Sequence, residues 1–566
     1  MYILGISAFY HDSAAALIKD GRVLYAAEEE RFTRIKHDNQ FPYQAVKFCL
    51  EKEDISIVDI DYVTYYEKPL LKFERILENF VKTYPFSLRP FLRGIPEWFG
   101  DKIKIEQIIR KKLGYKGKLF FIPHHLSHAA ASFYLSPFQK SAILTVDGVG
   151  EYQTTGLWYG EGNKITPIKS IDFPHSLGLL YSTFTAFLGF RVNEDEYKVM
   201  GLAAYGKPIY ADNIYQIIDI KEDGSFEMNM KFFVFRESFR MWGKRFEKFF
   251  GKPRLRNQPV TQRDKDLAAS IQKVTEDIYF RMLNHLRGIT KCENVCIGGG
   301  VGLNALANGK IYTETPFKNI YIFGAAGDSG GAPGSALFAY HYILHNETRS
   351  PVESLHFGSE YADEEIERVL KNFSLNYEKI EGENRLIEKA ADLLAKGKII
   401  GWFQGRMEFG PRALGARSIL SRPNPRKMKE EVNKIKIREQ FRPFAGSILQ
   451  EKVHEYFEVP KINHLSPFMT FCFKVKEEKR EKLIAIVHKD NTCRIQTVNE
   501  DNGLYYKLIR RFDGITGVPC ILNTSFNLKG EPIVENPQQA VEDFLKTEMD
   551  YLVIGKYLVS KSNRKE

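Results

Sequence analysis

The chain has 566 residues, 43% of them hydrophobic and 13% aromatic, enough for two large domains or several small ones with substantial cores. No apolar run is long enough to span a membrane, and the strand-like start Met1-Tyr-Ile-Leu-Gly-Ile6 has neither a basic n-region nor a cleavage site. The six cysteines form no CxxC pair and read as reduced, so a cytoplasmic location with no membrane partner is expected, and only the tail from Lys561 reads as disordered. The net charge of +10 is spread among acids, as in Lys427-Met-Lys-Glu-Glu431, without a nucleic-acid motif. Phosphorylated small molecules account for that excess at least as well, and nucleic acid is not an expected partner.

Taken in chain order, the first predicted elements form a strand–hairpin unit. Ile3-Leu-Gly-Ile6 is an apolar strand, followed by Ser13-Ala-Ala-Ala-Leu-Ile18, a Lys19-Asp-Gly21 turn and Arg22-Val-Leu-Tyr-Ala26. Ile143-Leu-Thr-Val146 starts the same series again, with Thr154-Thr-Gly-Leu-Trp-Tyr159, a turn, and Lys164-Ile-Thr-Pro-Ile168. Two such copies predict a duplicated α/β domain that holds nucleotide between its halves. Two aromatic-basic stretches, 65–114 and 232–256, read as insertions of unassigned role.

Further on, Asn294-Val-Cys-Ile297 and Asn319-Ile-Tyr-Ile-Phe323 each run into a glycine-rich turn of the kind that brings backbone N–H groups to phosphate. Gly300-Val-Gly-Leu-Asn-Ala305 matches a dinucleotide fingerprint, but the next strand ends without an acid for a ribose. A phosphate turn in another fold is the better reading. A polar, proline-containing stretch at 345–354 predicts the boundary between a first domain over 1–350 and a second over 355–566, the latter opening with a helix capped by Asp363.

His124 and His128, at i and i+4, share one face of a predicted helix, and taken alone they are equally metal ligands or a helix-surface coincidence. Asp147 and Asp328, each in a turn after a strand, can complete a two-histidine, two-carboxylate set. Such mixed ligation suits Fe(II) or another divalent transition metal, with zinc as the alternative. His11 sits in the first hairpin's turn, where it is either a backbone-bonded turn residue or a general base. In the second domain, Arg406, Arg412 and Arg417 are spaced by glycines and followed by Lys434, Lys436, Arg438 and Arg442. Arg494 lies by an apolar strand, and Asn523-Thr-Ser-Phe-Asn527 ends another. Guanidinium forks among glycines suit phosphate oxygens better than a solvated basic face.

Together these stretches resemble the O-carbamoyltransferases of antibiotic and nodulation-factor biosynthesis. The markers run nearly the whole chain: Phe9-Tyr-His-Asp-Ser-Ala-Ala15 with the preceding turn, Ala27-Glu-Glu-Glu-Arg-Phe32, His124-His-Leu-Ser-His128, Asp147-Gly-Val-Gly-Glu151, Lys198-Val-Met-Gly-Leu-Ala203, Glu408-Phe-Gly-Pro-Arg-Ala-Leu-Gly415 and Asn523-Thr-Ser-Phe-Asn527. The resemblance implies a first domain of the duplicated actin, Hsp70 and sugar-kinase type, like the tRNA-threonylcarbamoyl transferases. It implies a second α/β domain like the threonylcarbamoyl-adenylate synthases. The second would make carbamoyl-adenylate from carbamoyl phosphate and ATP with Mg²⁺, and the first would pass the carbamoyl group to a small-molecule hydroxyl.

Carried over by motif position, His124, His128, Asp147 and Asp328 would be metal ligands, and His11 would take the acceptor's proton. Gly300, Asn304 and Lys198 would lie near the adenylate. Arg406, Arg412, Arg417, Lys434, Arg438, Arg442 and Arg494, with Asn523 and Ser525, would hold carbamoyl phosphate and ATP. A homodimer is compatible with the sequence. The alternatives are a tRNA-threonylcarbamoyl-type transferase, an ATP-dependent kinase of the same fold, or a nucleotide-gated scaffold.

Overall fold

The computed structural model describes residues 1–461 and 464–561, so 562–566, the rest of the tail expected to lack order, lie outside the described residues. The chain forms two compact units. One comprises Met1–Glu29 and Asn39–Val352, and the other comprises Glu30–Asp38 and Glu353–Glu566.

The first unit is built on two five-stranded sheets. In the first, β1 (Tyr2–Ser7), β2 (Ala14–Lys19) and β3 (Arg22–Glu28) form an antiparallel meander, and β4 (Tyr62–Tyr65) and β5 (Lys118–Phe121) add in parallel to β1. The β2–β3 turn places Asp20 and Gly21 at φ 48° and 79°, the left-handed pair that a two-residue hairpin needs. The second sheet has β6 (Lys140–Val146), β7 (Gln153–Glu161) and β8 (Lys164–Asp172) as its meander. A small separate hairpin, β9 (Ile218–Ile220) and β10 (Phe226–Met228), intervenes before β11 (Asn294–Gly298) and β12 (Asn319–Ile322) complete the sheet.

The orders are β3-β2-β1-β4-β5 and β8-β7-β6-β11-β12, with the same strand directions at each position. This is the duplication expected from the sequence and the architecture of actin, Hsp70 and the sugar kinases. Ile3, Leu4 and Ile6 of β1 and Ile143, Leu144 and Val146 of β6 are fully buried, as central strands covered on both faces require. The 65–114 stretch is the helical crossover from β4 to β5.

Three elements must approach closely to assemble the centre of this unit. The helix Gly331–Phe338 lies against β1 on one side and the helix His124–Tyr134 on another. A Cβ at Gly5 would stand 2.0 Å from the Ala332 carbonyl oxygen, and one at Gly334 would stand 2.1 Å from that of Ser127. The small-residue run Gly330-Gly-Ala-Pro-Gly-Ser335 is therefore a packing requirement, and it fixes Asp328 relative to the histidine helix.

The second unit holds a mixed nine-stranded sheet. Its strands are β13 (Tyr377–Lys379), β14 (Ile400–Phe403), β15 (Arg417–Ser421), β16 (Ala445–Leu449), β17 (Phe471–Lys474), β18 (Thr492–Val498), β19 (Cys520–Ser525), β20 (Tyr551–Ile554) and β21 (Tyr557–Ser560). They lie in the order β13-β21-β20-β14-β15-β19-β16-β18-β17. Helices Glu383–Ala395 and Gly503–Thr516 pack together. Asp363 is the first residue of its helix rather than the cap. The capping contact comes from Glu365, whose carboxylate accepts from the Ala362 N–H at 2.9 Å.

Nothing in the sequence pattern signals that Glu30–Asp38 belongs to this unit. Arg31 donates to the Gly410 carbonyl at 2.8 Å and pairs with Glu30 at 2.6 Å, and Arg34 donates to the carbonyls of Ile533 and Pro532 at 2.7 and 3.0 Å.

Gly334→Val forces the histidine helix and Gly331–Phe338 apart. It should destabilise the protein by about 2–3 kcal/mol, and an unchanged denaturant midpoint would contradict the packing described.

Candidate functional site

The helix His124–Tyr134 starts immediately after Pro123, and the His124 N–H donates to both carboxylate oxygens of Glu151, at 3.0 and 3.1 Å. A carboxylate at the positive end of a helix stabilises its first turn. His124 and His128 then project from one face toward Asp147, which β6 delivers at its C-terminal end. The intervening His125 turns away and bonds the Thr145 hydroxyl at 2.9 Å. Asp147 is fixed because its N–H donates to the Thr154 carbonyl and the Ser176 hydroxyl donates to the Gly148 carbonyl at 2.6 Å. Asp328 opens the turn after β12.

These four residues converge, with one ligand atom from each lying within 4.8 Å of all the others. His124 Nε2 and His128 Nε2 are 3.0 and 3.2 Å from Asp147 Oδ2 and 3.1 Å from each other. They are 3.7 and 3.6 Å from Asp328 Oδ1. Both histidines and Asp328 are buried, and neither Asp328 oxygen accepts a hydrogen bond among the described residues.

Burial alone would raise Asp147, but the hydrogen bonds from His124 and His128 hold its carboxyl well below the usual range. Burial likewise opposes charge on His128, yet Asp147 and Asp328 hold it up to about 9. His125, buried beside two other imidazoles, is pushed well below the ordinary histidine value.

His11 stands at the edge of this cluster. Its Nδ1 meets Asp12 Oδ2 at 2.9 Å, and its Nε2 faces Asp328 Oδ2 at 3.7 Å, so its ring engages carboxylates rather than the backbone. Burial disfavours its cation, but Asp328 and the bond to Asp12 hold it up to about 10. Gly300 also reaches the cluster, its N–H donating to Asp147 Oδ1 at 3.3 Å.

Asn304 is engaged within the fold. It exchanges two amide hydrogen bonds with Gln272, both 3.1 Å, and accepts from the Ala307 N–H to cap the helix Ala305–Glu314. Lys198 pairs with Asp195 at 2.9 Å.

Three residues that the sequence did not single out shape this site. Glu151 organises the histidine helix. The Tyr10 ring lies 4.6 Å from that of His11 at a 42° tilt, and burial with Asp328 and Asp147 drives its phenol upward. Arg75, from the helix Pro69–Thr83, donates to the Gly150 carbonyl at 3.0 Å. Glu151 and Tyr10 lie inside motifs the sequence displays, but a carboxylate beside a helix start and an aromatic in a turn carry no distinctive spacing.

In the second unit the arginine-glycine stretch is wrapped around a carboxylate. Glu408 Oε1 accepts from the N–H groups of Leu414, Ala416 and Arg417 at 2.7, 2.7 and 3.1 Å, which curls the chain between them into a loop carrying Arg412, half-buried. Arg417 departs from its expected part. It is fully buried, lies 3.6 Å from the Phe403 ring, and donates to the carbonyls of Gln404, Gly405 and Ser359, each at 3.0 Å. A guanidinium so engaged organises the loop instead of presenting a fork to phosphate, and burial pulls its pKa down to about 10.

Arg406 is similarly turned to the Phe357 and Gly358 carbonyls, at 2.9 and 3.4 Å. Asn523 is buried, its amide donating to the Ser447 hydroxyl at 3.0 Å and the Ala413 carbonyl at 3.2 Å. Lys434 points to solvent on its helix Lys427–Ile435. The lysine drawn inward is Lys436, whose Nζ donates to the Ser525 carbonyl at 2.6 Å, the Ser525 hydroxyl at 3.2 Å and the Asn527 carbonyl at 2.8 Å. Burial and the cations of Arg438 and Arg442 push Lys436 well below its ordinary value.

Arg438 lies 3.9 Å from the Phe444 ring, and Arg442 pairs with Glu439 at 3.6 Å. Arg494 Nε is enclosed and has no hydrogen-bond partner among the described residues. Burial lowers its pKa, with Arg442 adding repulsion. The fold therefore gathers Lys436, Arg438, Arg442 and Arg494 into one mutually repelling cationic group, which favours an anionic occupant.

A family model described as carbamoyltransferase N-terminus matches residues 2–337, and one described as carbamoyltransferase C-terminus matches residues 391–561. An uncharacterized protein of Synechocystis sp. is 46% identical over 599 residues, covering 99% of this chain and 97% of that protein. The nodulation protein NolNO of Sinorhizobium fredii is 38% identical, covering 98% of this chain and 80% of that protein. The nodulation protein NolO of Bradyrhizobium diazoefficiens is 36% identical over 77% of this chain and 78% of its own length.

The different settings of two arginines are separable by measurement. Arg417→Ala unpairs several buried carbonyls and should cost about 3 kcal/mol of stability, whereas Arg412→Ala should cost about 1 kcal/mol or less. Equal losses in urea unfolding would remove the distinction.

Proposed function

The chain belongs to the carbamoyltransferase family, and we propose that it makes carbamoyl-adenylate from carbamoyl phosphate, water and ATP, releasing phosphate and pyrophosphate, and passes the carbamoyl group to the hydroxyl of a small-molecule acceptor, releasing AMP. The observation that carries the transfer half is the convergence of His124, His128, Asp147 and Asp328 beside His11. Two buried carboxylate oxygens of Asp328 without hydrogen bonds, and two imidazole nitrogens 3.1 Å apart, form a donor set that calls for a cation. Mixed nitrogen and oxygen ligation fits a divalent transition metal, Fe²⁺ first and Zn²⁺ as the alternative. When bound, such an ion supplies Lewis acidity toward the carbamoyl oxygen.

The chain's own residues do the rest. Asp12 holds His11 by Nδ1, which leaves Nε2 to accept the proton of the attacking hydroxyl. Neutralising the charges of Asp328 and Asp147 weakens the field that holds His11 up near 10, leaving Asp12 to orient the ring, and so favours its action as a base. The N–H of Gly300, already turned to Asp147, belongs to a glycine turn suited to the adenylate phosphate.

The activating half is assigned to the second unit. There Arg412, Arg438, Arg442 and Arg494 offer cations for carbamoyl phosphate and Mg²⁺–ATP, and Lys436 holds Ser525 and Asn527 beside them. Arg417, Arg406 and Asn523 shape the loop and strand ends that carry them. Mixed anhydrides hydrolyse readily, which favours keeping both half-reactions on one chain.

The test is pyrophosphate release from ATP in the presence of Mg²⁺, with and without carbamoyl phosphate. Release should require carbamoyl phosphate. His124→Ala should lose bound metal and transfer to acceptor while retaining that release, and Arg412→Ala should do the reverse. No release from folded protein that binds ATP would overturn the proposal in favour of a kinase or scaffold, and release independent of carbamoyl phosphate would overturn the assigned donor.

A further inference from the structure

Apart from Arg75, the two aromatic-basic stretches, 65–114 and 232–256, are given no part in either half-reaction, yet they carry the positive charge of the chain. Together they contain 19 Lys and Arg against 8 Asp and Glu, an excess of 11 in a chain whose net charge is +10. The remainder of the protein is thus close to neutral, and the positive charge is a local property of these stretches.

The structure joins them into one surface. The helices Pro69–Thr83 and Leu88–Glu97 form a hairpin closed by stacking of Phe80 on Phe91, with ring centroids 4.0 Å apart. Asn79 donates to the Arg236 carbonyl at 2.9 Å and accepts from the Arg236 guanidinium at 2.9 Å. The guanidinium of Arg93 lies 5.2 Å from the Phe239 ring.

What this surface shows to solvent is apolar. Val81 is 72% exposed, Phe86 73%, Leu92 60% and Phe239 67%, with Tyr84 and Leu88 beside them. Around these lie Arg89, Arg93 and Arg240, with Lys82 ion-paired to Glu78. Residues 79–96 and 238–246 contain no Asp or Glu at all. A solvated loop of this size would carry polar and acidic residues, and a core element would bury its aromatics.

We infer that this hairpin tip is a docking surface for an anionic lipid bilayer. Apolar side chains at a tip with a predominantly cationic rim are what interfacial insertion requires. The aromatics and aliphatics enter the acyl boundary while lysine and arginine stay among the anionic head groups. A second copy of the chain fits this surface less well, because a twofold contact would bring two such cationic rims together. The attachment is peripheral, since among the described residues no helix is long and apolar enough to cross a membrane. It also revises the expectation of no membrane partner, which considered only spanning segments.

The experiment is co-sedimentation of the full chain with phosphatidylcholine vesicles, with and without phosphatidylglycerol, alongside sedimentation velocity and an RNA-binding measurement. Binding to the anionic vesicles should exceed that to the neutral ones by about tenfold or more and fall in high salt. Phe86→Ser with Leu92→Ser, and separately Arg89→Gln with Arg93→Gln, should each reduce it about tenfold at an unchanged melting temperature, since the replaced side chains are exposed. No vesicle binding by the unaltered chain overturns the inference without touching the proposed chemistry. A dimer that dissolves in the Phe86→Ser, Leu92→Ser chain, or RNA binding without vesicle binding, overturns it equally.

Discussion

Two carboxylates and two imidazoles within 4.8 Å of one another are an expensive thing to keep in a protein interior. The rest of the first unit answers to that constraint. Two strands from opposite copies of the repeated sheet end at the cluster, and each contributes its turn: His11 follows β1 and Asp147 follows β6. The histidine helix and the helix after Asp328 are pressed together by glycines, so that the distances are set by backbone contact rather than by long side chains. Short side chains on rigid elements are what a fixed coordination geometry asks for. Glu151 at the start of the histidine helix adds a second layer of control over orientation.

The second unit handles charge in the opposite way. Its interior carboxylate, Glu408, gathers three backbone N–H groups on Oε1, and its interior guanidinium, Arg417, gathers backbone carbonyls, so both ions act as templates for loop shape. Four of its other cations, Lys436, Arg438, Arg442 and Arg494, are crowded against one another. Burial first, and that crowding second, lower the pKa values of Lys436 and Arg494, and an anionic ligand relieves both.

Much of this was legible in the sequence because it depends on local period or on turns. The repeated strand–hairpin pattern foretold both sheets, and the i, i+4 histidines share a helix face wherever that helix lies. Asp147 and Asp328 were findable as acids placed at strand ends. What the sequence did not separate were residues of one type with different partners. Arg412 and Arg417 look alike in a glycine-spaced run, yet the tertiary structure gives one to the loop and the other to the core. Lys434 and Lys436 differ only by helix phase near a C-terminus, where two positions rotate a side chain from solvent to interior. Asn523, at a strand end, looked free to orient a ligand until the neighbouring strands closed over it.

The chain passes between its two units three times, because Glu30–Asp38 leaves the first unit after β3 and returns. As the polypeptide is synthesised, those nine residues emerge early, but Gly410, Pro532 and Ile533, to which Arg31 and Arg34 donate, are made hundreds of residues later. The second unit therefore cannot be completed from its own contiguous stretch, and a fragment cut at the linker would lack these two cations. The two units are threaded through one another in the gene, so neither can be transferred to another chain by a single recombination event.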